Sequence, residues 1–145
     1  MHSRFNQNEM LKILISDERK LMEIQKDFTL FFPFLKLEFF KVPHKIGDGS
    51  AKHLLLDSNK LIKDCRSSRP TLHIEIKESM TVDQLEQLLF ENFGLAAQVF
   101  RKSGNVWLET SATDNWTLLQ QNNEGAELST QIKENRESLD NIDPF

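Results

Sequence analysis

The residues of this chain that could bind a metal ion are few and widely spaced. Four histidines and one cysteine are present: His2, His44, His53, His73 and Cys65. No two of them have the close spacing, such as His-x-x-x-His or Cys-x-x-Cys, with which one short segment presents two ligands. Glu38, His73 and Glu75 are expected on the solvent sides of strands and make one partial ligand set. We predict no metal site and no cofactor.

Covalent catalysis has no clear nucleophile in this sequence. Cys65 follows two apolar residues on a predicted short helix, where its expected role is that of a small buried side chain. The lysine and arginine beside it would lower the pKa of the thiol if it were exposed. The chain has no Gly-x-Ser-x-Gly motif, and the loop GDGSAK at residues 47–52 lacks the P-loop pattern and is expected to connect two strands. We predict no catalytic residue.

Basic residues concentrate in the middle of the chain. Residues 41–77 contain eight Lys or Arg and four Asp or Glu, whereas residues 109–145 contain two and eight. Exposed aromatics among positive charges can stack on bases, and Phe39 and Phe40 lie beside the basic segment. Both rings also fit a core pattern, and the net charge of the whole chain is −4. We do not expect a nucleic-acid partner, although weak binding through residues 41–77 stays an alternative.

The segment at residues 100–116 offers a surface for a protein partner. If residues 103–104 form a two-residue turn, Phe100 faces Trp107 across a β-hairpin. Such an aromatic pair supplies a large contact area at small entropic cost. In the alternative arrangement, a final short helix through Trp116 folds back over both rings. The predicted partner-binding residues are Phe100, Arg101, Trp107 and Trp116.

The hydrophobic pattern predicts the elements that would position these residues. Alternating apolar residues predict strands at 10–15, 35–42, 52–56, 71–77, 95–102 and 105–110. A first helix is expected from Asp17 to Phe28, and a second from the capping box at Thr81 to Gly94. A last short helix, capped by Asp114, is predicted to end before Gly125.

The same element order thus occurs twice. A shift of 61 residues places Leu11, Ile13, Ile15, Phe32, Phe39 and Lys41 on Leu72, Ile74, Ile76, Phe93, Phe100 and Lys102. Nearer the end of each half, a shift of 57 places Asp57, Leu61 and Ile62 on Asp114, Leu118 and Leu119. We predict an internal duplication and an α+β fold of two β-α-β-β units, with two main helices on one face of an antiparallel or mixed sheet.

The same pattern divides the chain into three parts. Residues 1–9 are expected to be a flexible extension. Residues 10–125 are expected to form a single domain with pseudo-repeats at 10–66 and 71–125. Residues 126–145 read as an acidic, weakly structured tail, either disordered or a weak amphipathic helix docked on the domain.

Composition bounds the cellular setting. A single cysteine excludes an intramolecular disulfide, which fits a reducing compartment. The longest apolar run, Phe28 to Leu35, is interrupted by Thr29 and Pro33 and is too short to span a bilayer. We therefore expect a cytoplasmic protein without a membrane partner.

Several stretches resemble a known family. They are MLKILI at Met10–Ile15, PFLKLEFFK at Pro33–Lys41, FRKSGNVWLET at Phe100–Thr110 and TDNWTLLQQN at Thr113–Asn122. They are similar to a family of small uncharacterised proteins from Bacteroidota-type bacteria, over residues 10–125. The resemblance implies that the protein is bacterial and that Met10 lies near the family's usual start, and it supplies no catalytic residues.

Together these features favour a non-enzymatic protein-interaction module, binding an unknown protein partner or a second copy of itself. The alternative is an enzyme with a small-molecule or metal site between the two halves. His44, His53 or Cys65 would then line the pocket.

Overall fold

The structure is a computed structural model that describes residues 10–43, 49 and 52–140. The predicted extension at residues 1–9, His44 and most of the loop at residues 47–52 lie outside the described residues. The described part of the chain contains five strands and three α-helices. They are β1 (Met10–Ile15), α1 (Leu21–Phe31), β2 (Leu35–Phe40), β3 (Leu72–Lys77), α2 (Val82–Phe93), β4 (Ala96–Ser103), β5 (Val106–Glu109) and α3 (Leu118–Asp140).

The α+β class is confirmed, and the strands divide between two antiparallel sheets instead of the one sheet expected. β1 pairs with β3 in one sheet, and the other has the order β2-β4-β5. The short strand predicted at residues 52–56 is a 3₁₀ turn, Lys52–Leu54, followed by a single bridge between Leu55 and Phe40.

The core lies between the two sheets and the first two helices. Each sheet buries one face, and both helices present apolar residues at the three- and four-residue spacing of one helical stripe. The residues involved include Ile13, Ile15, Leu21, Ile24, Phe28, Leu37, Phe39, Ile74, Ile76, Val82, Leu85, Leu89 and Val99. Phe28, Phe32 and Phe39 are fully buried, as expected of aromatics that carry no hydroxyl.

Capping residues set where the helices begin and end. The Thr81–Gln84 capping box before α2 is confirmed, and α2 ends at Gly94 with a φ of 69°. The predicted cap at Asp17 is wrong, whereas α1 ends at Phe31, three residues after the predicted end near Phe28 and before Pro33. The helix instead follows Lys20, which lies three residues after Asp17 and whose backbone N–H donates to the Glu23 side chain. This is half of a capping box, because a lysine side chain cannot accept the return bond.

The backbone hydrogen bonds around the helix starts recur in the two halves. The offset is 61 residues between the first strand and the first helix of each half, as predicted. Near the end of each half it is 56, so the predicted shift of 57 is wrong and Ile62 corresponds to Leu118. The recurring bonds join Leu21–Lys60, Met22–Ser58, Ile62–Arg19 and Lys63–Asp17 in one half, and Val82–Trp116, Asp83–Asp114, Leu118–Met80 and Leu119–Glu78 in the other. An internal duplication itself stays a prediction.

The second strands align differently from the predicted shift of 61. The core residues Leu35, Leu37 and Phe39 of β2 have their counterparts in Leu95, directly before β4, and in Ala97 and Val99 of β4, an offset of 60. The predicted equivalence of Phe39 and Phe100 is therefore wrong: Phe39 is in the core, whereas Phe100 lies on the opposite side of its sheet. The connection from α1 to β2 contains the extra residue.

The last helix is much longer than predicted. α3 continues through Gly125 to Asp140, so most of the stretch predicted to be a weakly structured tail is helical. Asp114 does not cap it, because Thr117 and Gln120 form a capping box directly before Leu118. In the part of the chain that the structure describes, no helix combines the length and apolar character needed to cross a bilayer.

Candidate protein-interaction surface

The β4–β5 hairpin turns at Gly104 and Asn105, one residue later than the sequence predicted. Gly104 has a φ of 64°, and a two-residue turn with glycine in its first position matches the twist of the flanking strands. Ser103 therefore pairs with Val106, and the predicted pairing of Phe100 with Trp107 is wrong. Both Ser103-Gly104 and Gly104-Asn105 are possible turn dipeptides, and the backbone geometry shows that the turn is formed by Gly104 and Asn105.

Phe100 and Trp107 nevertheless lie on the same face of the hairpin, as diagonal neighbours. Phe100 pairs with Glu109 and with Lys36 of β2, while Trp107 pairs with Lys102, and directly paired residues share a face. The Lys36 ammonium lies 5.4 Å from the centroid of the Phe100 ring and 5.1 Å from that of Trp107. Both distances are in the range of cation–π contacts. We call Lys36, Phe100 and Trp107 the outer cluster.

Arg101 and Trp116 lie on the opposite, inner face. Arg101 pairs with the core residue Leu35, and its guanidinium lies 5.8 Å from the Trp116 ring centroid. It also donates to Gln121 Oε1 at 2.8 Å. The four predicted partner-binding residues are thus separated by the sheet into two pairs.

α3 packs on the inner face and not on the outer cluster. Gly125 of α3 approaches Phe34, Arg101 and the carbonyl of Lys102 so closely that a Cβ atom there would lie 2.9–3.2 Å from their atoms. The Gly104 N–H donates to Ser129 Oγ at 3.3 Å. The predicted alternative, in which the segment through Trp116 covers Phe100 and Trp107, is therefore not the arrangement found.

Polar contacts hold the start of α3 in place. Gln121 is fully buried, and its amide donates to the carbonyl and the hydroxyl of Thr113, each at 2.8 Å. Asn122 Oδ1 accepts the Phe34 N–H at 2.9 Å. Sequence reasoning missed these residues, although the Thr117–Gln120 capping box that starts the helix is visible in the sequence.

β5 has an unpaired edge within the described residues, where it pairs with β4 alone. Ser103 and Val106 close the turn, and Thr110 N–H donates to the Val99 carbonyl at 3.4 Å. Because hydrogen-bonded pairs alternate in an antiparallel ladder, the N–H and C=O groups of Trp107 and Glu109 point away from β4.

Apolar side chains accompany this edge. Val106 is 55 % exposed and Leu108 is 42 % exposed, both on the inner side beyond α3. On the outer side, Gly49 lies against the Glu109 carboxylate. The edge therefore combines unpaired backbone groups with exposed apolar side chains, which is the usual template for adding a strand.

Cys65 is half-buried, and the partial ligand set of Glu38, His73 and Glu75 does not form a metal site among the described residues. Burial raises the pKa of the Cys65 thiol, whose Sγ lies 3.3 Å from the Leu61 carbonyl. His73 and Glu75 lie on the exposed face of β3, whereas Glu38 lies in the other sheet and accepts a hydrogen bond from Gln25. No group of three His, Cys, Asp or Glu able to hold a metal ion occurs among the residues described.

Two arginines of the basic segment are engaged within the fold. Arg66, with a side chain only 1 % exposed, pairs with Asp17 at 3.0 Å and donates to the Phe93 carbonyl. Arg69 donates to the Asn92 carbonyl at the end of α2. These two charges therefore help to close α2, where a cation also complements the helix dipole.

Comparison with protein families, with curated proteins and with solved structures finds no match to this chain. The resemblance to a bacterial family stays a prediction.

Proposed function

We propose that this protein is a non-enzymatic interaction module whose β4–β5 hairpin contacts a protein partner. This proposal depends on one edge of β5, with which no described strand pairs. Exposed Val106 and Leu108 flank it on one side and the outer cluster on the other. Edges of this kind bind extended segments through backbone hydrogen bonds, while flanking side chains supply specificity.

The outer cluster suits a contact surface because its rings are held in place before any partner arrives. Lys36 reaches across from β2 to both Phe100 and Trp107, so the aromatic side chains lose little freedom on binding. Aromatic residues and buried cation contacts are also typical of the few residues that dominate interface energies. Of the basic segment, Arg66 is bound to Asp17 and to the Phe93 carbonyl, so this cation does not contribute to a nucleic-acid surface.

The proposal extends to the cellular setting. A single cysteine, which cannot form an intramolecular disulfide, fits a reducing compartment, and we propose a bacterial cytoplasm as the setting.

Site-specific crosslinking of the full chain tests the proposal. A photoreactive phenylalanine derivative in place of Val106 should crosslink a protein, whereas the same group in place of Leu30 should not. Leu30 is the matched control because it is 71 % exposed on α1, away from the hairpin. Equal yields at the two positions, or no adduct at Val106, would contradict a hairpin interface.

A further inference from the structure

Among the described residues no strand pairs with the outer edge of β5, and the backbone groups there limit which segments can join it. Only the N–H and C=O groups of Trp107 and Glu109 are directed outward, because Val106 and Leu108 form their hydrogen bonds with β4. An added antiparallel strand must therefore present outward groups at the same two-residue spacing. Every antiparallel strand has this spacing, so the backbone accepts a second β5 centred on Leu108, and the side chains decide whether it fits.

We infer that the partner of the hairpin is a second copy of this chain, joined by antiparallel pairing of the two β5 strands about a two-fold axis at Leu108. This inference rests on the proposed function. In this register, Trp107 of each copy lies opposite Glu109 of the other, and the two pairs supply four backbone hydrogen bonds. The two Leu108 side chains meet at the axis, as a closely spaced non-hydrogen-bonded pair.

The side chains on the outer face favour this register. Within one chain, the direct pairs place Lys36, Phe100 and Glu109 in a row across three strands. The second copy extends that row with its Trp107 and then its Lys102, since these two residues also pair directly. Each row then reads cation, aromatic, anion, aromatic, cation. Each glutamate is thus flanked by rings, with a lysine beyond each ring.

The inner face leaves room for the second strand. α3 packs against β4, where Gly125 contacts Arg101 and Lys102. Leu108, on the neighbouring strand, keeps 42 % of its surface exposed. A pair of leucines meeting at the axis would cover this surface, while charges at that position would repel each other.

Complementary charges at the axis give the sharpest test. The full-length chain should show a concentration-dependent molar mass in sedimentation equilibrium, rising from 16.9 kDa toward twice that value. Leu108→Lys and Leu108→Glu should each remain monomeric, and an equal mixture of the two should dimerise. Leu30→Lys, on the exposed face of α1, should dimerise like the original chain. Thermal unfolding of every variant verifies that it is folded.

The results separate this inference from the proposed function. A chain that stays monomeric at all concentrations, or whose dimer survives both Leu108 charges, overturns pairing through β5. If the crosslinker at Val106 then captures a different protein, the hairpin remains an interface and only the identity of the partner was wrong. If it captures nothing, the proposed function fails as well.

Discussion

Glu23 and Gln84 occupy the same position, three residues after the N-cap of their helices, and they differ in charge. Each side chain accepts a hydrogen bond of 2.9 Å from the backbone N–H of the residue before its helix. The bond from Lys20 N–H is the main cause that lowers the pKa of Glu23 below its ordinary value of 4.5, with Arg19 adding to it. A carboxyl with a lowered pKa stabilises the fold above the unfolded value and loses that contribution as the pH falls.

Replacing Glu23 by Gln is therefore expected to make the stability of the protein less dependent on acidic pH. The amide keeps the hydrogen bond, as Gln84 does in α2, but it has no proton to bind. Urea unfolding at neutral pH and at a pH below 4.5 measures the difference. The reverse change, Gln84→Glu, should add a similar acid sensitivity, and identical pH profiles for all three chains would contradict the argument.

Contacts between residues close in the sequence, such as those of a capping box, can be predicted from the sequence better than contacts that depend on strand pairing. Thr81 and Gln84 lie three residues apart, so their box was predictable. Lys36 meets Phe100 only because β2 pairs with β4, more than sixty residues away in the chain. The position of the hairpin turn, which the sequence placed one residue too early, decided which side chain faces Trp107.

At the scale of elements, Gly125 shows why the last helix was predicted too short. A glycine after an apolar segment commonly ends a helix by adopting a positive φ, as Gly94 does. Gly125 does not have a positive φ and lies inside α3, where its missing side chain allows the helix to approach β4. The sequence alone does not show whether a glycine ends a helix, as Gly94 does, or allows close packing inside one, as Gly125 does, because that depends on the contact with β4.

Gly125→Ala should destabilise the protein although alanine favours helices. Intrinsic propensity alone would add up to about 1 kcal/mol to the unfolding free energy. The new Cβ would lie 2.9 Å from Phe34 Cβ and 3.1 Å from the Lys102 carbonyl, neither of which is a flexible end. Such overpacking typically costs about 1–3 kcal/mol, so we expect a net loss.

Asn123→Ala, at an exposed position of the same helix, is the matched control for propensity. It should leave the stability unchanged or raise it by a few tenths of a kcal/mol, up to roughly 0.7. Chemical unfolding of both variants measures the two effects. A Gly125→Ala chain as stable as the Asn123→Ala chain would show that α3 does not depend on its close approach to β4.

At the scale of the whole molecule, the two halves depend on each other for their sheets. β1 pairs with β3, and β2 pairs with β4, so both of these ladders join a strand of the first half to a strand of the second. Buried Arg66 of the first half bonds the Phe93 carbonyl of the second, and Asn122 of the second half bonds Phe34 of the first. The apolar pattern predicted the elements of each half, but a pattern cannot specify which strands pair.

A chain divided between Arg69 and Pro70 should therefore yield two fragments that do not fold alone. In the first fragment β1 and β2 lose the strands that they pair with, and in the second β3 loses β1 and β4 loses β2. Mixing equal amounts should restore the sheets, because the cut falls in an exposed connection between 3₁₀ turn and strand. Amide NMR spectra would show narrow dispersion for each fragment and wide dispersion for the mixture. Cooperative unfolding of either fragment by itself would mean that the paired ladders are not what holds that half together.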